Sequence, residues 1–251
     1  KTPLHLDRCL TRRSCETTCP SGVKYSHLLD IGREIVNKET RRPLYERLLR
    51  QGLLWALPNP VRFKNLMTLA SRFRFILPGG LKKSVPENIQ NVHWPETKHT
   101  RKVILLEGCV QPTLSPEINQ ATASLLDKLG IQSIRPTQSC CGALAHHLTA
   151  EEKAVLTIKN NIDAWWPHVE QGIEAIVSNA SGCGVMLKDY GHLLQNEQDY
   201  ADKAKTISSL CKDISEIVCN EELAKINNII EISFQSPCTL QHGQQLDGVV
   251  E

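Results

Sequence analysis

The sequence predicts an α/β protein: a helical N-terminal segment followed by a largely parallel sheet packed with helices. Three observations carry this. From residue 103 onward, short apolar runs alternate with amphipathic stretches of helix length, the rhythm of strand–helix–strand units around a parallel sheet. Cysteines recur a few residues beyond the ends of those apolar runs. Charge also divides the chain: residues 1–102 carry 20 Lys and Arg against 8 Asp and Glu, net +12, whereas 103–251 carry 9 against 19, net −10.

The elements follow in order. S-H-L-L-D-I-G-R-E-I-V-N-K puts Leu28, Ile31, Ile35 and Val36 on one helix face, with Ser26 as its expected N-cap. A second helix over 43–57 opens at Pro43 and spaces Leu44, Leu48, Leu53 and Leu54. A third, over 60–77, is basic and amphipathic through Phe63, Leu66, Met67, Ala70 and Phe73. Its apolar face suits packing on its own domain, a partner, or a membrane surface. Pro78, Gly79, Gly80, Pro86 and Pro95 make 78–101 a linker. Strands are expected at 103–107, 131–135, 174–178 and 229–234. Helices are expected at 115–129, where Ser115 caps and Pro116 leads; at 149–166, behind the capping-box pattern T-A-E-E; and at 183–194, 198–218 and 220–228.

No apolar run approaches the ~18 residues of a membrane-spanning helix. There is no signal-peptide pattern, no Met at position 1, and V-V-E closes the sequence in what looks like a continuing element, so a fragment is expected. Ten cysteines in a long, regular chain argue against a secreted disulfide scaffold and for metal or redox use in a reducing, cytoplasmic compartment. The basic N-terminal half suits an anionic membrane, an acidic partner or simple solvation. It lacks the interleaved aromatics that stack on bases, so nucleic acid is not an expected partner.

Cys109, Cys140, Cys141, Cys183 and Cys238 each lie two to six residues past a predicted strand. In an open α/β sheet the carboxyl edge is where ligands bind. The surrounding E-G-C, C-C-G and S-G-C-G supply Gly108, Gly142, Gly182 and Gly184 for tight turns and close backbone approach. Adjacent thiolates such as Cys140 and Cys141 suit several irons of a cluster better than one zinc. Metal-free buried or redox-active thiols are the rival reading. Cys211 and Cys219, eight apart in a helical stretch, read as core thiols. His146 and His147 read as loop-surface residues or as groups that tune the site.

The N-terminal run C-L-T-R-R-S-C-E-T-T-C-P places Cys9, Cys15, Cys19 and Pro20 at the spacing C-x2-C-x2-C-x3-C-P, which binds [4Fe–4S] clusters in ferredoxins. Arg12 stands where the second cysteine belongs. A guanidinium cannot ligate iron, so this reads as a ligand set with a lesion.

C-C-G with a cysteine about thirty residues before and another about forty after resembles the cysteine-rich CCG domain of heterodisulfide reductases and their relatives. C-E-T-T-C-P-S-G-V, L-E-G-C-V-Q-P-T-L-S-P, N-N-I-D-A-W-W-P, A-S-G-C-G and P-C-T-L-Q-H resemble, more closely still, the iron–sulfur subunits of bacterial glycolate oxidase (glycolate dehydrogenase). The resemblance implies a ferredoxin-like segment over 1–57, a basic helix and linker over 58–101, a CCG domain over 102–235, and the opening of a second CCG domain over 236–251. It implies [4Fe–4S] clusters, with Cys109, Cys140, Cys141 and Cys183 as ligands in the CCG half and Cys9, Cys15, Cys19 and Cys238 as further metal-binding candidates. It implies FAD-containing partner subunits that oxidise glycolate to glyoxylate. It also implies a quinone-type acceptor, with the protein cytoplasmic or peripheral on the inner face of the membrane. A lactate- or glycerol-3-phosphate-oxidising complex, or a cluster-free interaction module, are the alternatives. The other ferredoxin motif is absent, and position 180 is alanine where the family has a further cysteine, so a four-thiolate cluster is expected rather than a five-thiolate one.

Overall fold

The structure is a computed structural model and describes residues 2–87, 92–137, 140–222, 231 and 233–250. Six helices come first: α1 Thr2–Asp7, α2 Ser14–Thr17, α3 Tyr25–Glu39, α4 Leu44–Ala56, α5 Pro60–Arg72 and α6 Gly79–Ser84. Then follow β1 Arg101–Leu106, α7 Gln111–Leu114, α8 Pro116–Lys128, β2 Ile131–Ile134, α9 Ala143–His147, α10 Glu151–Glu170, β3 Ala175–Ser178, α11 Ser181–Lys188, α12 Tyr190–Leu193, α13 Ala201–Leu210, β4 Cys211–Asp213 and α14 Ile214–Val218. A single π-turn, Thr239–Gly243, lies near the end.

The four strands pair in the order β2-β1-β3-β4, all parallel. Side chains alternate across a strand, so β1 feeds both faces. Ile104 and Leu106 join Ile158, Ile162, Trp165 and Ile176 on one side, under α10 to α13. Val103 and Leu105 join Leu126, Ile131, Ala175 and Val177 on the other, under α8 and α14. β1 and β3, central and buried on both faces, are continuous apolar runs for this reason. The chain leaves β1 toward β2 on one side, while β3 lies on the other; the topological switch point is therefore between β1 and β3.

Several expectations are corrected. Ser26 is not a cap: α3 starts one residue earlier behind Lys24, Ser26 is buried, and its N–H donates to the Glu16 carboxylate at 2.5 Å. The orphan donors of this helix end are met from α2, ten residues away, which local pattern does not reveal. The T-A-E-E capping box does not form either. Ala150 is the N-cap of α10, and Thr149 sits in the left-handed region at φ 56° with its hydroxyl on the Leu148 carbonyl. The expected linker 78–101 contains α6. The expected helix 198–218 is interrupted by β4, whose C-K-D carries no apolar run because only Cys211 faces the core. Cys219 is exposed, just past the end of α14, and is no core thiol. The strand candidate 229–234 and the helix candidate 220–228 fall mainly on 223–230 and 232, outside the described residues.

The N-terminal helices dock on the loop edge of the sheet domain. Arg13 pairs with Asp189 at the end of α11, the His27 and His192 rings stack 3.7 Å apart, and Asp30 meets His146 at 3.1 Å. The segment after Pro237 packs there too. Ser181 and Thr239 hydroxyls are 2.6 Å apart, Gln244 donates to the Ser181 carbonyl, and Thr17 contacts His242 at 2.9 Å.

Candidate metal centre

Cysteines from three loops meet at the carboxyl edge, beside the switch point. Cys109 follows β1, Cys140 and Cys141 follow β2, and Cys183 lies in the first turn of α11 after β3. The Cys109 and Cys140 thiols hydrogen-bond to each other, as do those of Cys141 and Cys183. Cys140 and Cys141 are buried; Cys109 and Cys183 are half-buried. The hydrogen bond from Cys109, together with the Gly142 N–H, lowers the Cys140 thiol to about 7 despite burial. Cys109, at the other end of that bond, is pushed well up, as is buried Cys141 beside Cys183. At the Cys109–Cys140 contact, one thiolate beside one thiol is what like charges in a dry site allow.

The loops that carry these sulfurs are pinned. Gly142 has φ 86°, a conformation that disfavours side chains, and it turns the chain from Cys141 into α9. Asn161 of α10 donates to the Cys140 carbonyl and to the Tyr190 hydroxyl, both at 2.8 Å, and Tyr190 donates to the Cys141 carbonyl at 2.8 Å. Both side chains are fully buried, and Tyr190 stacks on Trp165 with centroids 6.5 Å apart. Across the switch point, Gln111 bridges Asn119 and Asn179, while Asn119 donates to the Glu107 carbonyl. These amides tie the Cys109 loop to the loop before Cys183. Spacing alone does not single out Asn119, Asn161, Asn179 or Tyr190. The signal for Asn161 was N-N-I-D-A-W-W-P, which carries both the clamp on Cys140 and the ring behind Tyr190.

The donor set fits an iron–sulfur cluster: four sulfurs from three loops, with the Gly142 and Ala143 N–H groups directed at Cys140 and Cys141. Among the described residues no three Cys, His, Asp or Glu side chains converge as one metal ion would need. Two thiol pairs suit several metal corners rather than one.

The N-terminal run does not fit a complete cluster. Cys9 and Cys15 line a cavity of about 500 Å³ with Arg12, Leu6, Leu28 and Leu29. Thr11 and Arg13, on either side of Arg12, are both left-handed at φ 53° and 59°, so the loop is curled where a cluster-binding loop would be. Buried Arg33 fixes it through the Leu6 and Cys9 carbonyls at 3.1 and 2.7 Å. Cys19 is not among the cavity's lining residues and faces Tyr25 instead; backbone N–H groups from Ser21 to Val23 lower its thiol. The cavity wall has a guanidinium where a thiolate is needed. Cys238 is half-buried and opens the π-turn, whose Thr239 meets Ser181 of α11.

His146 and His147 form the last turn of α9 rather than a loop; His146 is half-buried against Asp30 of α3, whereas His147 is exposed, as a surface residue would be. Burial opposes charging of His146, yet Asp30 and Glu151 outweigh it and raise the group to about 9.

The parallel α/β unit with paired thiols at its switch point coincides with residues 103–188, which match the family model described as the cysteine-rich domain CCG. Over its whole length the chain is 50% identical, across 256 residues, to the glycolate oxidase iron–sulfur subunit of Escherichia coli K12, covering 63% of that protein. It is 27% identical over 268 residues to a probable glycolate oxidase iron–sulfur subunit of Bacillus subtilis 168, covering 94% of this chain and 60% of the relative. Lactate utilization protein A of the same organism is 29% identical over 120 residues, 47% of this chain and 48% of that one. The chain thus spans about three fifths of the length of the two glycolate oxidase relatives. No solved structure matches it significantly.

Proposed function

We propose that this chain is part of the iron–sulfur electron-transfer subunit of a flavin-dependent complex that oxidises glycolate to glyoxylate. The observation that carries the reading is the set of four thiols in two contacts at the switch point, within a chain half identical throughout to a glycolate oxidase iron–sulfur subunit. Cys109, Cys140, Cys141 and Cys183 would hold one [4Fe–4S] cluster. When bound, such a cluster supplies one-electron transfer. The chain's own residues supply the rest. Asn161 and Tyr190 fix the Cys140–Cys141 carbonyls, the Gln111–Asn119–Asn179 amides fix the flanking loops, and the apolar face around Trp165 keeps water from the buried side. The partners are FAD-containing subunits on the donor side and a membrane quinone on the acceptor side, with the protein cytoplasmic and peripheral on the inner membrane face. Among the described residues no helix is long and apolar enough to cross a membrane. The domain division is 1–57, 58–101, 102–235 and 236–251, and in this reading Cys9, Cys15, Cys19 and Cys238 belong to ligand sets this chain does not complete. Iron and acid-labile sulfide analysis after anaerobic purification tests the proposal. Cluster stoichiometry dependent on the four CCG-half cysteines supports it, and iron-free protein with four free thiols there refutes it.

A further inference from the structure

The acidic and basic residues of the N-terminal half are not evenly mixed. Between Glu46 and Glu87 there is no Asp or Glu, and there are eight Lys and Arg. Phe63 buries one side of α5. Its opposite side and the 3-10 turn Arg74–Ile76 leave large apolar groups in solvent: Leu69 is 56% exposed, Phe73 46%, Phe75 76% and Ile76 67%. The tip is folded, not frayed. Ser71 donates to the Pro86 and Glu87 carbonyls at 2.9 and 2.8 Å. Arg74 donates to the Lys82 carbonyl at 3.2 Å and pairs with Glu87, which closes α5, the turn and α6 into one knob. Lys64, Arg72, Lys82 and Lys83 are exposed on it and, among the described residues, have no ion-pair partner. Further along, Arg62 lies over the half-exposed Trp55 ring at 4.5 Å.

Exposed apolar side chains on α3 differ in setting. Leu28, Ile31 and Ile35 stand among Asp30, Glu34 and Glu39, which an anionic surface would repel. The 69–83 knob has aromatic and aliphatic groups at its tip and cations around them; the carboxylate that closes it, Glu87, is paired with Arg74. That is the composition of a surface that seats at the boundary between lipid headgroups and acyl chains.

We propose that the knob formed by residues 69–83 is a membrane-docking surface for anionic lipid, with Phe73, Phe75 and Ile76 entering the interface and Arg72, Lys82 and Lys83 facing the headgroups. It deepens the proposed handover to a membrane acceptor by naming the contacting surface, and it rests on that reading for its role only.

The test is co-sedimentation of the 251-residue chain with vesicles of equimolar phosphatidylglycerol and phosphatidylcholine, against pure phosphatidylcholine. The expected result is binding to the anionic vesicles that weakens with salt. The double substitution Lys82→Glu/Lys83→Glu should lower the partition coefficient by about tenfold or more. Phe75→Ser/Ile76→Ser, at side chains too exposed to hold the fold together, should lower it by a similar factor with unchanged circular dichroism. Absence of binding to anionic vesicles overturns the proposal, as does wild-type binding by both variants. So does self-association through the knob, or salt-sensitive binding to the flavin subunits without affinity for vesicles. Iron content is read separately, so failure of docking and failure of the cluster reading are distinguishable.

Discussion

Replacing Tyr190 with Phe should loosen the cysteine site from behind without touching a sulfur. The hydroxyl donates to the Cys141 carbonyl and accepts from Asn161, both at 2.8 Å, in a fully buried setting. Phe keeps the ring against Trp165, so the loss isolates the two hydrogen bonds. Each such bond is worth about 1 kcal/mol net, and leaving the buried Cys141 carbonyl unpaired adds about 1–3 kcal/mol. The expected destabilisation is therefore about 3–5 kcal/mol. Asn161→Ala removes the donors to Cys140 and to Tyr190 and should cost a comparable amount. In a double-mutant cycle the two changes should be less than additive by about 1 kcal/mol, because they share one bond. Urea unfolding of the metal-free chain gives these values, and iron retained after aerobic exposure gives the consequence for the site. A loss below about 0.5 kcal/mol for Tyr190→Phe, with wild-type iron retention, would refute the view that this network holds the Cys140–Cys141 turn.

Other predictions follow from the docking of the N-terminal helices and the curled loop. His146 is raised to about 9 by Asp30 and Glu151 against the opposing effect of burial. Its contribution, at most about 3 kcal/mol, should be fully present below about pH 6.5 and lost as pH rises through about 9. His146→Gln should flatten the stability profile over that window in pH-dependent urea unfolding. A Cβ at Gly243 would lie 2.5 Å from a Val185 methyl, so Gly243→Ala should lift the C-terminal segment from α11. The cost should be about 1–3 kcal/mol, read as faster proteolysis after Pro237. Arg12→Cys should give this chain at most a weak, oxygen-labile second cluster, because one run offers three corners of a cubane; iron per chain, with an EPR spectrum of the reduced protein, measures it.

The sheet was legible wherever a strand was buried on both faces. R-K-V-I-L-L and A-I-V-S are apolar runs because β1 and β3 have helices above and below. β4 was not legible: an edge strand of three residues with one core side chain leaves no pattern to read. The Ser26 cap failed because a distant carboxylate, Glu16, took the place of the local hydroxyl. The cysteines were legible because they recur after strands, and their pairing follows from the parallel topology that brings those loops to one edge. What held them was not. Asn161 and Tyr190 lie twenty and more residues away on helices, and a buried polar residue announces itself only through the neighbour it satisfies. His146 looked like a surface group because the helix that meets it, through Asp30, lies on the far side of a basic linker in sequence.

If the four CCG-half thiols bind one cluster, each of them should be needed to hold iron. The most direct measurement is iron and acid-labile sulfide per chain after anaerobic purification, compared between wild type, Cys109→Ser, Cys140→Ser, Cys141→Ser and Cys183→Ser, with Cys211→Ser as the buried control. About four iron and four sulfide are expected in wild type and in Cys211→Ser, and a large loss in each of the other four. Iron content unchanged by all four substitutions, or no iron in wild type while those thiols titrate as free, would contradict it.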